Sequence, residues 1–75
     1  MRKVIIGKTY RHFKGNLYKV IDIVKDSESD GEIVIYEAQY GDHTRWARPY
    51  DMFISKVDKD KYPEVKQTYR FQQID

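Results

Sequence analysis

Apolar and polar positions alternate over short runs in this chain, and no stretch keeps helical spacing for long. "KTYRHF", residues 8–13, predicts a first strand. Lys14-Gly15-Asn16 predicts a tight turn, because Gly and Asn both tolerate positive φ. "LYKVIDIVK", residues 17–25, predicts a second strand with imperfect alternation, since Val20-Ile21 and Ile23-Val24 are both apolar pairs. Such pairs imply either a bulge or a strand covered on both faces. "DSESDGE", residues 26–32, is a polar, acidic loop. "EIVIYEAQY", residues 32–40, predicts a third strand, with Val34, Tyr36, Ala38 and Tyr40 on a core face.

"RWARP", residues 45–49, is a short fourth strand that stops at Pro49. Asp51 is placed to cap one helical turn through "DMF", with Met52 and Phe53 filling core. "ISKV", residues 54–57, predicts a fifth strand, and "RFQQI", residues 70–74, a sixth at an edge. Five or six short strands, with a single helical turn before the fifth, predict an all-β fold: a small SH3-like barrel. The aromatic content, seven Tyr, three Phe and one Trp, suits a pleated, half-buried surface and leaves the class unchanged.

Length then bounds the picture. Seventy-five residues make one domain, residues 1–75. A domain this small buries only about 60% of its unfolded surface, so its core is thin. The chain has no cysteine, which excludes disulfides, thiolate nucleophiles and Cys-ligated zinc. "VIIG" is far shorter than the roughly 7–15 apolar residues of a secretory signal, and no run approaches the roughly 20 that span a bilayer. The expectation is a cytoplasmic protein without a membrane partner, monomeric or weakly dimeric.

Net charge is only +2, but its distribution is uneven. Residues 1–20 carry Arg2, Lys3, Lys8, Arg11, Lys14 and Lys19 with no acid. Residues 21–40 carry six acids against Lys25 alone. Hairpin strands of opposite sign pair across the sheet at roughly 0.2–1 kcal/mol per pair, and that structural use comes first. An anion-binding surface is the other reading. A pI near 8.8 is too mild to argue for nucleic acid by itself.

Candidate chemistry concentrates in two blocks. In "YRHFKGN" a period of two places Tyr10 and His12 on one face, with Arg11 and Phe13 on the other. With Phe13 turned to the core, Tyr10 and His12 lie open, where His12 serves as a base or stacks on a flat ligand. Lys14 and the turn ending at Asn16 offer an ammonium and outward backbone amides to a phosphate or carboxylate. In "RWARP", Trp46 and Arg48 share a face as a ring and a guanidinium fork. Ser27 and Glu28 in the acidic loop form a rim, or Glu28 acts as a base. Each feature also has a plain structural use: a satisfied His, an ordinary hairpin turn, solvated loop acids.

Metal binding is disfavoured, because His12 and His43 are the only histidines and lack standard ligand spacing. No cofactor motif is present: there is no nucleotide-binding glycine run, nucleophile elbow or paired-carboxylate signature. "AQYGD" superficially resembles the SH3 signature, but it lies in a middle strand and the usual second Trp is missing.

Taken in order, "YRHFKGNLYKV", "SES", "VIYEAQYG", "WARPYDMF" and the terminal "RF" resemble domain-of-unknown-function family 1653, a mostly bacterial and uncharacterised family. The resemblance runs from Gly7 to Ile74 and implies no transferable activity. It also shows departures. Where the family tends to carry His followed by Ser-Glu-Thr, this chain reads Asp26-Ser27-Glu28-Ser29. A usual Leu-Tyr-Gly reads Gln39-Tyr40-Gly41, and Ala47 stands where Val usually follows the tryptophan.

The leading expectation is a non-catalytic binding module using Tyr10, Arg11, His12, Lys14, Asn16, Ser27, Glu28, Trp46 and Arg48. Its ligand is flat or anionic: a nucleotide, a nucleic acid or an anionic peptide. The alternatives are a small enzyme with His12 and Glu28 as acid and base, and an accessory domain with a protein partner.

Overall fold

The computed structural model describes residues 3–75. Its elements are β1 (Thr9–His12), β2 (Leu17–Lys25), β3 (Glu32–Ala38), β4 (Arg45–Pro49), α1 (Tyr50–Phe53) and β5 (Phe71–Gln73). All pairings are antiparallel, and the sheet order is β4-β3-β2-β1-β5. The all-β class and the single helical turn match the sequence pattern. The sheet is not closed into a barrel: β4 and β5 are its two edges.

The reason lies after Pro49. The expected strand at 54–57 forms only an isolated bridge, Lys56 to Tyr69. The terminal segment pairs with β1 through Tyr10↔Gln73, Arg11↔Gln72 and His12↔Phe71. The last strand is therefore the fifth, not the sixth, and it lies at the edge opposite β4. α1 begins behind Pro49, whose φ of −52° suits a helix start. No side chain caps α1; Asp51 sits inside its first turn rather than capping it.

Strand β2 resolves its imperfect alternation with a bulge. Val20 pairs Tyr36 and Asp22 pairs Ile35, so Ile21 is the extra residue. That slip returns Ile23 to the core face, where it packs beside buried Val20. On β3, Val34, Tyr36 and Ala38 are buried as the pattern demands; Tyr40 lies past the strand and is exposed.

On β1 the faces are reversed from expectation. Tyr10 is buried and donates nothing to the surface, while Phe13 is half-buried beyond the strand's end. Tyr10 and His12 both take the core side because their partners Tyr18 and Phe71 are there. Period two was right; the side was set by which neighbours supply apolar surface.

The core is a set of rings. Phe53 stacks on Phe71 with centroids 4.2 Å apart and planes 5° from parallel. Tyr10 and Tyr36 each meet Phe53 edge-on at 5.4 Å. Each such pair adds about 0.5–1.5 kcal/mol beyond area burial. Met52, expected inside, is exposed: α1 turns Phe53 into the core with Tyr50 packed against it, which leaves Met52 on the outer side.

The charge blocks meet only in part: Lys19 of the basic block stands opposite Glu37 of the acidic one across β2–β3. The ion pairs among the described residues are Lys25–Asp30 and Arg45–Glu37. Strand β1 pairs with Leu17, Tyr18 and Lys19, which belong to the same basic block. Among the described residues no helix is long and apolar enough to cross a membrane.

Phe53→Ala is expected to lower stability by about 3–5 kcal/mol. Met52→Ala, one residue away, should change it by less than about 0.5 kcal/mol. Urea unfolding of the two variants measures both, and equal losses would show that α1 faces the core differently.

Candidate functional site

The core face of the sheet does not end in solvent but opens into two adjoining recesses. Residues opposite one another on paired strands share a face, so Trp46 opposite Tyr36 and Arg48 opposite Val34 extend the core face across β4. The first recess, about 190 Å³, is lined by His12, Tyr18, Tyr36, Trp46, Arg48 and Phe71. The second, about 310 Å³, shares His12 and Arg48 and adds Lys14, Asp58, Lys61, Tyr62 and Arg70. One recess is aromatic; the other is cationic.

His12 stands where they meet. Its ring lies 4.4 Å from Phe13 and meets Phe71 edge-on at 4.9 Å. The Lys14 backbone N–H donates to His12 Nδ1 at 3.1 Å. An accepting Nδ1 places the proton of the neutral ring on Nε2, which is left as a donor. Burial, then the charges of Arg48, Arg70 and Lys14, lower its pKa from 6.5 to about 4. The imidazole is therefore neutral near pH 7.

The two guanidinium groups are held in similar ways. Arg48 Nε donates to the Tyr36 hydroxyl at 3.2 Å, and its guanidinium carbon lies 5.8 Å from the Phe71 ring centre. Arg70 Nε donates to Ser55 Oγ at 3.2 Å. Tyr18 and Tyr40 join hydroxyls at 2.8 Å beside the aromatic recess. Burial, followed by that bond, pushes the Tyr18 phenol up to about 12. Trp46 is 51% exposed, so its ring is accessible as a stacking surface.

The sequence candidates separate into three groups. His12, Lys14, Trp46 and Arg48 converge on the recesses. Asn16 lies next to them, where its side chain acts to lower the pKa of Tyr18 against the larger raising effects. Arg11 points away on the exposed face of β1, and its carbonyl accepts from Gln67 Nε2. Tyr10 is 2% exposed and its hydroxyl accepts from the Ile5 N–H, so it presents nothing to a ligand.

Ser27 and Glu28 are elsewhere. They sit in the β2–β3 loop beyond Lys25, whereas the recesses lie by Tyr18 at the other end of β2. That separation is on the order of 25 Å along the strand. The pair of His12 with Glu28 as acid and base thus has no geometry to act through. The turn at 14–16 also differs from expectation. Gly15, at φ +108°, turns its N–H to the His12 carbonyl, and the Lys14 N–H is taken by His12 Nδ1. These amides serve the hairpin instead of an incoming anion.

Sequence reasoning missed Tyr18, Tyr36, Tyr62, Lys61, Arg70 and Phe71. The terminal "RF" contains two of them, but a block so distant from "WARP" gives no sign of its neighbours. Among the described residues no group of three or more His, Asp or Glu could hold a metal ion.

Comparison with known proteins adds the following. The model of a protein family of unknown function, DUF1653, matches residues 8–73. The crystal structure of a DUF1653 protein from Bordetella bronchiseptica is similar to this chain, with a TM-score of 0.75 and 22% identity. The likeness covers 93% of this chain and 87% of that one, and it concerns the fold. No curated protein matches the chain.

His12 supplies a pH test. Its folded pKa lies below the unfolded value, so its contribution to stability is whole above about pH 6.5 and is lost as pH falls toward about 4. The His12 imidazole should titrate near pH 4 by NMR, and His12→Gln should flatten the stability decline in that window. A His12 midpoint near 6.5 would contradict the burial and charge assigned to it.

Proposed function

Because the chain belongs to the DUF1653 family, whose description names no activity, we propose a role from the site alone: a binding module for a ligand that joins a flat ring to an anionic group. One observation carries this reading. An aromatic recess and a cationic recess adjoin and share His12 and Arg48. The aromatic part, at about 190 Å³, is below the roughly 300–1,000 Å³ of drug-sized sites. It suits one ring rather than a whole ligand, with the remainder passing His12 into the cationic part.

Each wall has a function in this scheme. Trp46 stacks on the ring; Tyr18, Tyr36 and Phe71 enclose it. Arg48 lies at the junction and reaches both parts of the ligand. His12, as a neutral Nε2–H donor, binds without adding to the charge. In this reading the site binds its ligand, and Asp58, the acid that lines the adjoining recess with His12, accepts the backbone N–H groups of Asp60 and Lys61.

A screen of nucleotides, oligonucleotides and anionic peptides by NMR chemical-shift perturbation tests this. Ligands should perturb Trp46, Arg48 and His12. Stacking on the indole is worth roughly 1–3 kcal/mol, so Trp46→Ala with Arg48→Ala should weaken binding at least tenfold. A folded double variant that binds as well as the native chain would discard this surface.

A further inference from the structure

Resting on that reading, we infer that the cationic recess is a phosphomonoester site: a terminal phosphate held by the Arg48 and Arg70 forks and the Lys14 ammonium, accepting the His12 Nε2–H, with the ligand's nucleobase in the aromatic recess. The ligand class is a mononucleotide.

The forks are the main ground. Each arginine is pinned through Nε by a neutral hydroxyl, Tyr36 for Arg48 and Ser55 for Arg70. That restrains each guanidinium through one nitrogen. Neither forms an ion pair among the described residues, whose pairs lie elsewhere at Lys25–Asp30 and Arg45–Glu37. The planar guanidinium fork is the geometry that grips phosphate oxygens in pairs.

Charge decides between phosphate esters. Lys14, Arg48, Lys61 and Arg70 line the recess against one acid, Asp58. Asp58 Oδ1 is engaged by the backbone N–H groups of Asp60 and Lys61, at 3.0 and 3.3 Å. The recess therefore carries a clear positive excess that a phosphodiester, with one charge, answers only in part. A terminal phosphate carries about −1.5 to −2 near pH 7 and offers three acceptor oxygens. A neutral His12 donates to one of these without adding another cation. Space agrees: about 310 Å³ beside His12 holds a sugar and a phosphate, and about 190 Å³ holds the base.

The test is titration of the intact chain with each of the four nucleoside 5′-monophosphates, the matching nucleosides and the matching 5′-methyl phosphodiesters, at fixed salt. Free phosphotyrosine is a further arm, because it also joins a ring to a phosphate. At least one monophosphate should bind about tenfold more tightly than its nucleoside and its methyl diester, as expected for charge-assisted hydrogen bonds. It should shift the His12 imidazole and Arg70 side-chain resonances. Arg70→Lys, which keeps the charge but loses the fork, and Lys14→Gln, at an exposed position, should each remove most of that advantage and leave nucleoside binding unchanged. If Arg70→Lys does not fold, Lys14→Gln decides.

A monophosphate that binds no better than its nucleoside or its diester overturns the phosphomonoester assignment. The broader reading then stands if the residual binding still needs Trp46, and falls if it does not. Binding of phosphotyrosine without any nucleotide overturns the mononucleotide class. Failure of every probe to perturb the recesses also overturns it, and the broader screen then judges the surface separately.

Discussion

The Phe71 ring lies parallel to Phe53 at 4.2 Å, and the placement of most other groups depends on that stack. Phe53 comes from the one helical turn and Phe71 from the last strand, two segments with no ladder between them. No strand ladder ties the chain's end to α1. The ring contact does so, helped by the Arg70 N–H donating to the Ser55 carbonyl at 2.9 Å and the Val57 N–H to the Thr68 carbonyl at 2.9 Å. A domain of this size has little other core to draw on.

The same ring connects stability to the recesses. Phe71 is buried, yet its edges and face are what His12, Tyr18 and Arg48 meet at the rim. The site is thus the open end of the core rather than an addition to it. Aromatic side chains that would be interior in a closed barrel are left partly reachable, since among the described residues β4 is an edge of the sheet. Burial first, and then the cations collected there, Arg48, Arg70 and Lys14, keep His12 neutral. One acid, Asp58, lines the recess with them. The recess takes its character from cations that the β1–β2 turn, β4 and the C-terminal segment bring together, not from net charge.

The acids that do carry shifted pKa values lie outside the recesses. The Glu37 carboxyl is held below the usual range mainly by its hydrogen bond from Arg45. The Asp26 carboxyl is lowered mainly by the Glu28 backbone N–H within its own loop. Both serve local structure, a cross-strand pair and a turn, and neither faces His12.

Much of the fold was legible in the sequence. β2 and β4 begin and end where alternation, Gly, Asn and Pro place them, and the apolar pairs of β2 announced its bulge. These are local effects, set by side-chain period and by backbone freedom at a few residues. The two blocks holding His12, Lys14, Trp46 and Arg48 were legible for the same reason, since residues two apart on a strand must share a face. What alternation does not carry is which side of a strand meets the core. Alternation with Phe13 in the core sends Tyr10 and His12 outward; packing of Tyr10 against Phe53 and of His12 against Phe71 turns them inward. Nor does it carry contacts between segments distant in the chain. Arg70 and Phe71 reached the recess only through the pairing of β5 with β1, and Glu28 was separated from His12 only by the length of β2. Periodicity is written in neighbouring residues, whereas the choice of face and of long-range partners is settled by which arrangement buries the most ring surface.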